Sequence, residues 1–111
     1  MENKYCWRCK MVVPFLDERE SKEILNLYKK CVKLAKNYRA INKATLSETP
    51  LDEIFLPVRE AYEKMTGYKN MHHDAIMHHE LSLLGPDCPN CAKPLRTPAA
   101  KLCPECGWKK N

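Results

Sequence analysis

Six of the seven cysteines in this chain come as C-x-x-C hooks: CWRC at Cys6–Cys9, CPNC at Cys88–Cys91 and CPEC at Cys103–Cys106. Such a hook turns two sulfurs to one side of a tight turn, where both reach one metal ion while backbone amides face the thiolates. Two hooks supply four sulfurs and close a tetrahedral site, leaving no vacant position. The eleven residues from Ala92 to Leu102 suffice for two short strands and a turn. Cys88, Cys91, Cys103 and Cys106 therefore read as a Zn²⁺ ribbon. Iron on four thiolates is the chemical rival, and a pair of redox hooks lacks the βαβ context such motifs use. Proline after the first cysteine stiffens each hook. Gly107 follows the second hook, where positive φ is wanted, and Ala92 in the equivalent place is expected to strain the first.

Cys6 and Cys9 supply half a site. The candidates to complete it are two histidine pairs, His72-His73 and His78-His79. On a regular helix His72 and His79, seven apart, share a face, whereas adjacent histidines diverge by about 100°. Both members of a pair reach one ion only where the helix starts, ends or deforms. Two readings stand: a second metal site joining the lone hook to one or two histidines, or a reduced turn with the histidines exposed or packed beside aromatics.

Several elements must position these residues. MVVPFLDERE reads as a short extended piece entering a helix. From Ser21 to about Ala44, Ile24, Leu25, Tyr28, Cys31, Val32, Ala35 and Tyr38 form one apolar face. Cys31 falls within it and reads as a buried small hydrophobe. The opposite face carries Lys22, Lys29, Lys33, Lys36 and Lys43, flanked by Lys30 and Arg39. That stripe is either a solvated outer face or a docking strip for phosphates or an acidic protein. A second helix is expected from Thr49 as cap, with Pro50 and Asp52 in its first turn and a break near Pro57. Gly67 is its stop signal. NMHHDAIMHHELSLLG reads as a third main helix ended by Gly85-Pro86. The predicted fold is mainly α, a helical domain over 1–85 with an appended two-stranded zinc ribbon over 86–111.

At 111 residues, with 44% hydrophobic and 30% charged residues, the composition is that of an ordinary globule. The first residues, MENKYCWRCK, lack an apolar signal region, and no run approaches a membrane span. The expected compartment is the cytosol, where paired hooks bind metal more often than they form disulfides. The formal charge of +5 falls to about +3 once four thiolates hold one Zn²⁺.

HHELSLLGPDCPNCAKPLRTPAAKLCPECG, together with CWRCKMVVPFLDE, resembles a family of small, largely uncharacterised bacterial zinc-ribbon proteins. Its pattern joins an N-terminal CWRC hook, a histidine pair before LSL-x-GP, and a ribbon containing KPLRTP. The resemblance covers the chain's start and its final third, and little of the helices between. It implies that His78 and His79 rather than His72 and His73 complete the lone hook, in a bipartite Cys/His site. Glu80, Leu84 and Ala92 depart from the basic, aromatic and glycine residues of that pattern.

For function, the chain has no HExxH, GxSxG or phosphate-loop motif, and a closed ribbon does no catalysis, so no enzyme is expected. A deaminase-like zinc on Cys6, Cys9 and His78 lacks the surrounding motif. A nucleic-acid binder would use the Lys22–Lys43 helix face, with Arg96, Lys101, Lys109 and Lys110 around the ribbon and Trp7 and Trp108 for stacking. The expectation is instead a zinc-stabilised binding module that engages a protein partner through Lys29, Lys33 and Lys36. By class analogy such small proteins include inhibitors and toxin-immunity proteins.

Overall fold

The computed structural model describes residues 1–110. It opens with a hairpin: β1 (Glu2–Cys6) pairs antiparallel with β2 (Met11–Phe15), Cys6 opposite Met11 and Glu2 opposite Phe15. The CWRC hook is the turn of this hairpin. Its strands were not anticipated beyond one extended piece, since each is only five residues long.

Helix α1 (Glu18–Asn42) begins at Asp17, whose carboxylate accepts from the Glu20 amide while Glu20 accepts from the Asp17 amide. This reciprocal capping box is worth about 1 kcal/mol and fixes where the strand gives way to helix. The helix stops at Lys43, which takes a left-handed conformation. α2 (Leu51–Ile54) and α3 (Leu56–Thr66) are separated at Phe55, with Pro57 in the first turn of α3, where its missing N–H is harmless. Gly67 closes α3 at φ 77°, as its sequence position suggested. Thr49 does not cap α2: its hydroxyl donates to the Thr45 carbonyl, and Pro50 occupies the cap position without a side-chain bond.

The long third helix expected from Asn70 to Gly85 is not formed. α4 spans only His73–Ile76, followed by an irregular stretch and a 3₁₀ turn at Leu81–Leu83. The reason is tertiary. The Leu16 amide donates to the His79 carbonyl at 2.7 Å, and the Leu81 amide donates to the Leu16 carbonyl at 2.9 Å. The chain leaving β2 thus pairs with residues 79–81 as a short parallel bridge, and those backbone groups are no longer free for a helix.

Phe15, Leu16, Ile24, Cys31, Phe55, Val58, Tyr62 and Ile76 form the main core. Cys31 is buried there, and burial pushes its thiol up. Tyr62, fully buried, donates its hydroxyl to the Pro14 carbonyl and ties α3 to the hairpin. A second, smaller cluster centres on Cys88, Leu95 and Cys103. Among the described residues the C-terminal segment forms no two-stranded sheet. Two isolated antiparallel bridges, Asp87 with Pro94 and Leu102 with Lys109, flank its two hooks. Among the described residues the architecture is therefore four helices, a two-stranded sheet at the start, and a cysteine-rich C-terminal cluster. "Mainly α" describes the stretch from Glu18 to Thr66. No described helix is long and apolar enough to cross a membrane.

Candidate metal centres

The three hooks share one backbone conformation. In each, the residue after the second cysteine donates its amide to the carbonyl of the first: Lys10 to Cys6 at 2.7 Å, Ala92 to Cys88 at 2.9 Å, and Gly107 to Cys103 at 2.7 Å. All three donors have positive φ, at 57°, 65° and 82°. Only Gly107 has no Cβ to strain; Lys10 and Ala92 each bear about 1–2 kcal/mol. A chain that holds two non-glycine residues in this region does so where the surroundings demand it. The spacing C-x-x-C-x carried the signal for all three turns, with glycine at only one of them.

In the C-terminal cluster the Cys88 and Cys106 sulfurs lie 3.7 Å apart, as do those of Cys91 and Cys103. Sulfurs bonded to one another would be about 2 Å apart. Sulfurs at 2.3 Å from one tetrahedral ion would be separated by about 3.8 Å. The observed spacing fits the second case, and all four sulfurs lie within 4.8 Å of one another. Facing the Asn90 amide, and taking a bond from the Trp108 backbone, Cys106 is drawn down to about 6. Cys91 is pushed up to about 12: the Lys93 amide draws it down, but burial and bonds to its neighbouring sulfurs outweigh that. The Cys106 thiolate thus forms more readily than that of Cys91.

Beside the lone hook the structure places the histidine pair that the resemblance implied. Cys6, Cys9, His78 and His79 bring one donor each within 4.8 Å. The Cys9 sulfur is 3.3 Å from His79 Nε2 and 3.8 Å from His78 Nε2. A tetrahedral zinc with ordinary Zn–S and Zn–N bonds sets sulfur and nitrogen about 3.5 Å apart, so this set also fits. The early end of α4 is what allows it. With the helix over at Ile76, the two adjacent imidazoles stand 4.6 Å apart at 89° to each other and converge on one point. His79 is 0% exposed, tilted against Phe15 at 5.1 Å and Tyr62 at 6.5 Å. Its Nδ1 is buried without a hydrogen-bond partner among the described residues, so packing rather than a bond orients the ring. Burial lowers His79 to about 4 and also lowers His78, aided there by Arg8. Both rings are accordingly neutral at pH 7, the form that binds a metal. Burial pushes Cys9 up to about 11.

The other histidine pair is used differently. His72 caps α4, its Nδ1 accepting from the Asp74 amide. His73 is buried and stacked on Phe55 at 4.4 Å. With Asp52 these two also gather three donor atoms. Here, however, the Arg59 guanidinium stands 3.4 Å from His73 Nδ1 and donates to the Asp52 carbonyl. A fixed cation already occupies the surroundings, which disfavours a second one.

Between the two four-donor centres lies a seam that periodicity does not reveal. The Arg96 guanidinium rests over Trp7 at 4.4 Å and donates to Glu105 at 3.1 Å. Trp7 belongs to the first hook and Glu105 to the third. Lys93 lies over Tyr5 at 4.2 Å, and the Gly85 amide donates to the Leu95 carbonyl at 2.8 Å. A Cβ on Gly85 would come within 2.2 Å of the Thr97 carbonyl oxygen, which requires glycine there. Of the expected partner residues, Lys29, Lys33 and Lys36 are exposed on α1. No family model, curated protein or solved structure matches the chain.

Proposed function

We propose that this chain is a zinc-stabilised, non-enzymatic binding module that engages a protein partner, holding one Zn²⁺ on Cys88, Cys91, Cys103 and Cys106 and a second on Cys6, Cys9, His78 and His79. The observation that carries the reading is the completeness of both donor sets. Four donors at tetrahedral spacing fill a zinc ion, and a filled ion has no position for substrate or activated water. Metal of this kind orders chain that cannot order itself. The segment from Pro86 onward has a small core of Cys88, Leu95 and Cys103, with Cys91, Ala100 and Trp108 packed against it, too little apolar surface to offset the entropy of fixing it.

The partner surface is the outer face of α1, with Lys29, Lys33 and Lys36 exposed. Nucleic acid along the Lys22–Lys43 face is the second reading. Against it, Trp7 is not free to stack on bases: Arg8 and Arg96 lie over its ring at 4.8 and 4.4 Å. Inhibitors and immunity proteins of toxins, small and without catalytic residues, are the class this reading resembles.

The test is recovery of the tagged protein from cells, wild type beside Lys29→Glu/Lys33→Glu/Lys36→Glu. A protein should co-purify with wild type and be lost with the variant, whose circular dichroism stays unchanged. Recovery of nuclease-sensitive material in place of a protein would establish the second reading instead.

A further inference from the structure

α1 carries a feature that neither metal centre nor core accounts for. Ile24, Leu27, Cys31, Leu34, Tyr38 and Ile41 follow one another at spacings of three and four, the period of a helix-packing seam. The body covers the first half: Ile24 and Cys31 are each 2% exposed, and Leu27 packs against the core. In the second half Tyr38 is part-buried, but Leu34 is 56% and Ile41 80% exposed. Nothing in the chain's own packing requires the seam to continue, and it does.

Charge says what would cover it. From Ile24 to Ser47 there is no Asp or Glu, while Lys29, Lys30, Lys33, Lys36, Arg39 and Lys43 supply six cations. Among the described residues none of the six is in an ion pair. At about 100° per residue, Lys30 lies about 40° round the helix from Leu34 and Lys33 about 100°. The outer border of the apolar strip therefore carries Lys30, Lys33 and the neutral Asn37, and no acidic residue. A second copy of this chain would bring lysines against lysines, which is repulsive. A phosphate backbone would meet the lysines but leave Leu34 and Ile41 facing polar surface.

We infer that the Leu34–Ile41 strip with Lys30 and Lys33 is a docking site for an acidic amphipathic helix of a partner protein, its apolar residues seven apart and its flanks rich in Glu or Asp. Leu34 and Ile41, two turns apart, lie about 10.5 Å from one another along the axis. Leucines at the same spacing on a partner helix meet both at once, and its acidic flanks meet the lysines. This deepens the protein-binding reading and rests on it.

The experiment measures fluorescence anisotropy of a synthetic 21-residue peptide with leucines at three- and four-residue spacing and glutamates elsewhere. Comparators are a scrambled peptide of the same composition and a DNA duplex. We expect the peptide to bind wild type and to lose about tenfold or more with Leu34→Gln/Ile41→Gln, exposed changes the fold tolerates; the scrambled peptide should bind at least tenfold more weakly. Equal binding of both peptides, or no loss in the variant, overturns the inference. So does a duplex that binds as tightly as the peptide and ignores the Leu34 and Ile41 changes. Sedimentation showing a dimer that Leu34→Gln/Ile41→Gln dissociates would make the occupant a second copy and overturn it too. The cellular partner separates the two readings. If the triple lysine variant loses that partner while Leu34→Gln/Ile41→Gln keeps it, this inference falls and the broader one stands. If neither variant loses it, both fall.

Discussion

The two four-donor centres use the same turn and differ in where their ligands come from. At the C-terminus all four sulfurs fall between Cys88 and Cys106, and their apolar surroundings are a satellite cluster. At the N-terminus the hook is joined to histidines 69 and 70 residues away, inside the main core, with His79 and Cys6 buried among Phe15, Tyr62 and Leu16. A metal in the first centre closes short loops and orders a peripheral segment. A metal in the second closes a loop of most of the chain and replaces a core contact. Loop-closure entropy grows only slowly with length, so the greater weight of the split centre comes from its place in the core.

This difference sets the largest expected effect. Cys6→Ser/Cys9→Ser should lower bound zinc from two ions to one and drop the main thermal transition by on the order of 10 °C or more. Cys103→Ser/Cys106→Ser should also leave one ion, yet retain the helical circular dichroism and shift the main transition less. Elemental analysis with thermal melts of both variants decides it. If the two melt alike, the centres are energetically equivalent and the contrast is wrong. A native content of one zinc, unchanged by Cys6→Ser/Cys9→Ser, would reduce the lone hook to a turn.

The same contrast explains what the sequence disclosed. The ribbon cysteines were legible because their constraint is local: C-x-x-C twice within a short span admits few other arrangements. Half of the split site was legible for the same reason, as was the left-handed residue at Gly107. The other half was not legible from periodicity. Met71, Ala75, Ile76, His79 and Leu83 keep a helical spacing, so periodicity reads one continuous helix from Asn70 to Gly85. What breaks it is Leu16, pairing its backbone with residues 79 and 81 across the chain. No pattern within the segment encodes that partner. Periodicity alone could not choose between the histidine pairs. The motif resemblance could, because it linked HH to the LSL-x-GP that follows.

A smaller effect tests the choice between those pairs. His79→Ala should abolish the split-site zinc while leaving the ribbon ion. His73→Ala should leave both ions and cost about 1–3 kcal/mol, from the lost stack on Phe55 and the cavity left behind. Zinc content read beside urea unfolding separates a ligand from a packed ring. Loss of zinc from His73→Ala with retention in His79→Ala would reverse the assignment.

The smallest effect concerns whether the two centres act on each other. Arg96 touches both: its guanidinium lies over Trp7 of the first hook and bonds Glu105 of the third. Its side chain is 36% exposed, so its removal should cost no more than about 1 kcal/mol of stability. Its effect on coupling should be clearer than its effect on stability. When the ribbon is stripped of metal, Glu105 loses its position, Arg96 loses its anchor, and the turn bearing Cys6 and Cys9 loses a contact. In wild type, therefore, Cys103→Ser/Cys106→Ser should weaken zinc binding at the split centre several-fold, measured by competition with a chromophoric chelator. With Arg96→Ala in both backgrounds that factor should shrink. It should not vanish, because Lys93 over Tyr5, Lys4 with Asp87 at 3.6 Å and the Gly85–Leu95 bond still cross the seam. Arg96→Lys keeps a charge for Glu105 but not the flat stack on Trp7, so it should recover only part of the coupling. A factor that Arg96→Ala leaves unchanged would mean that the centres load independently and that the contact is packing alone.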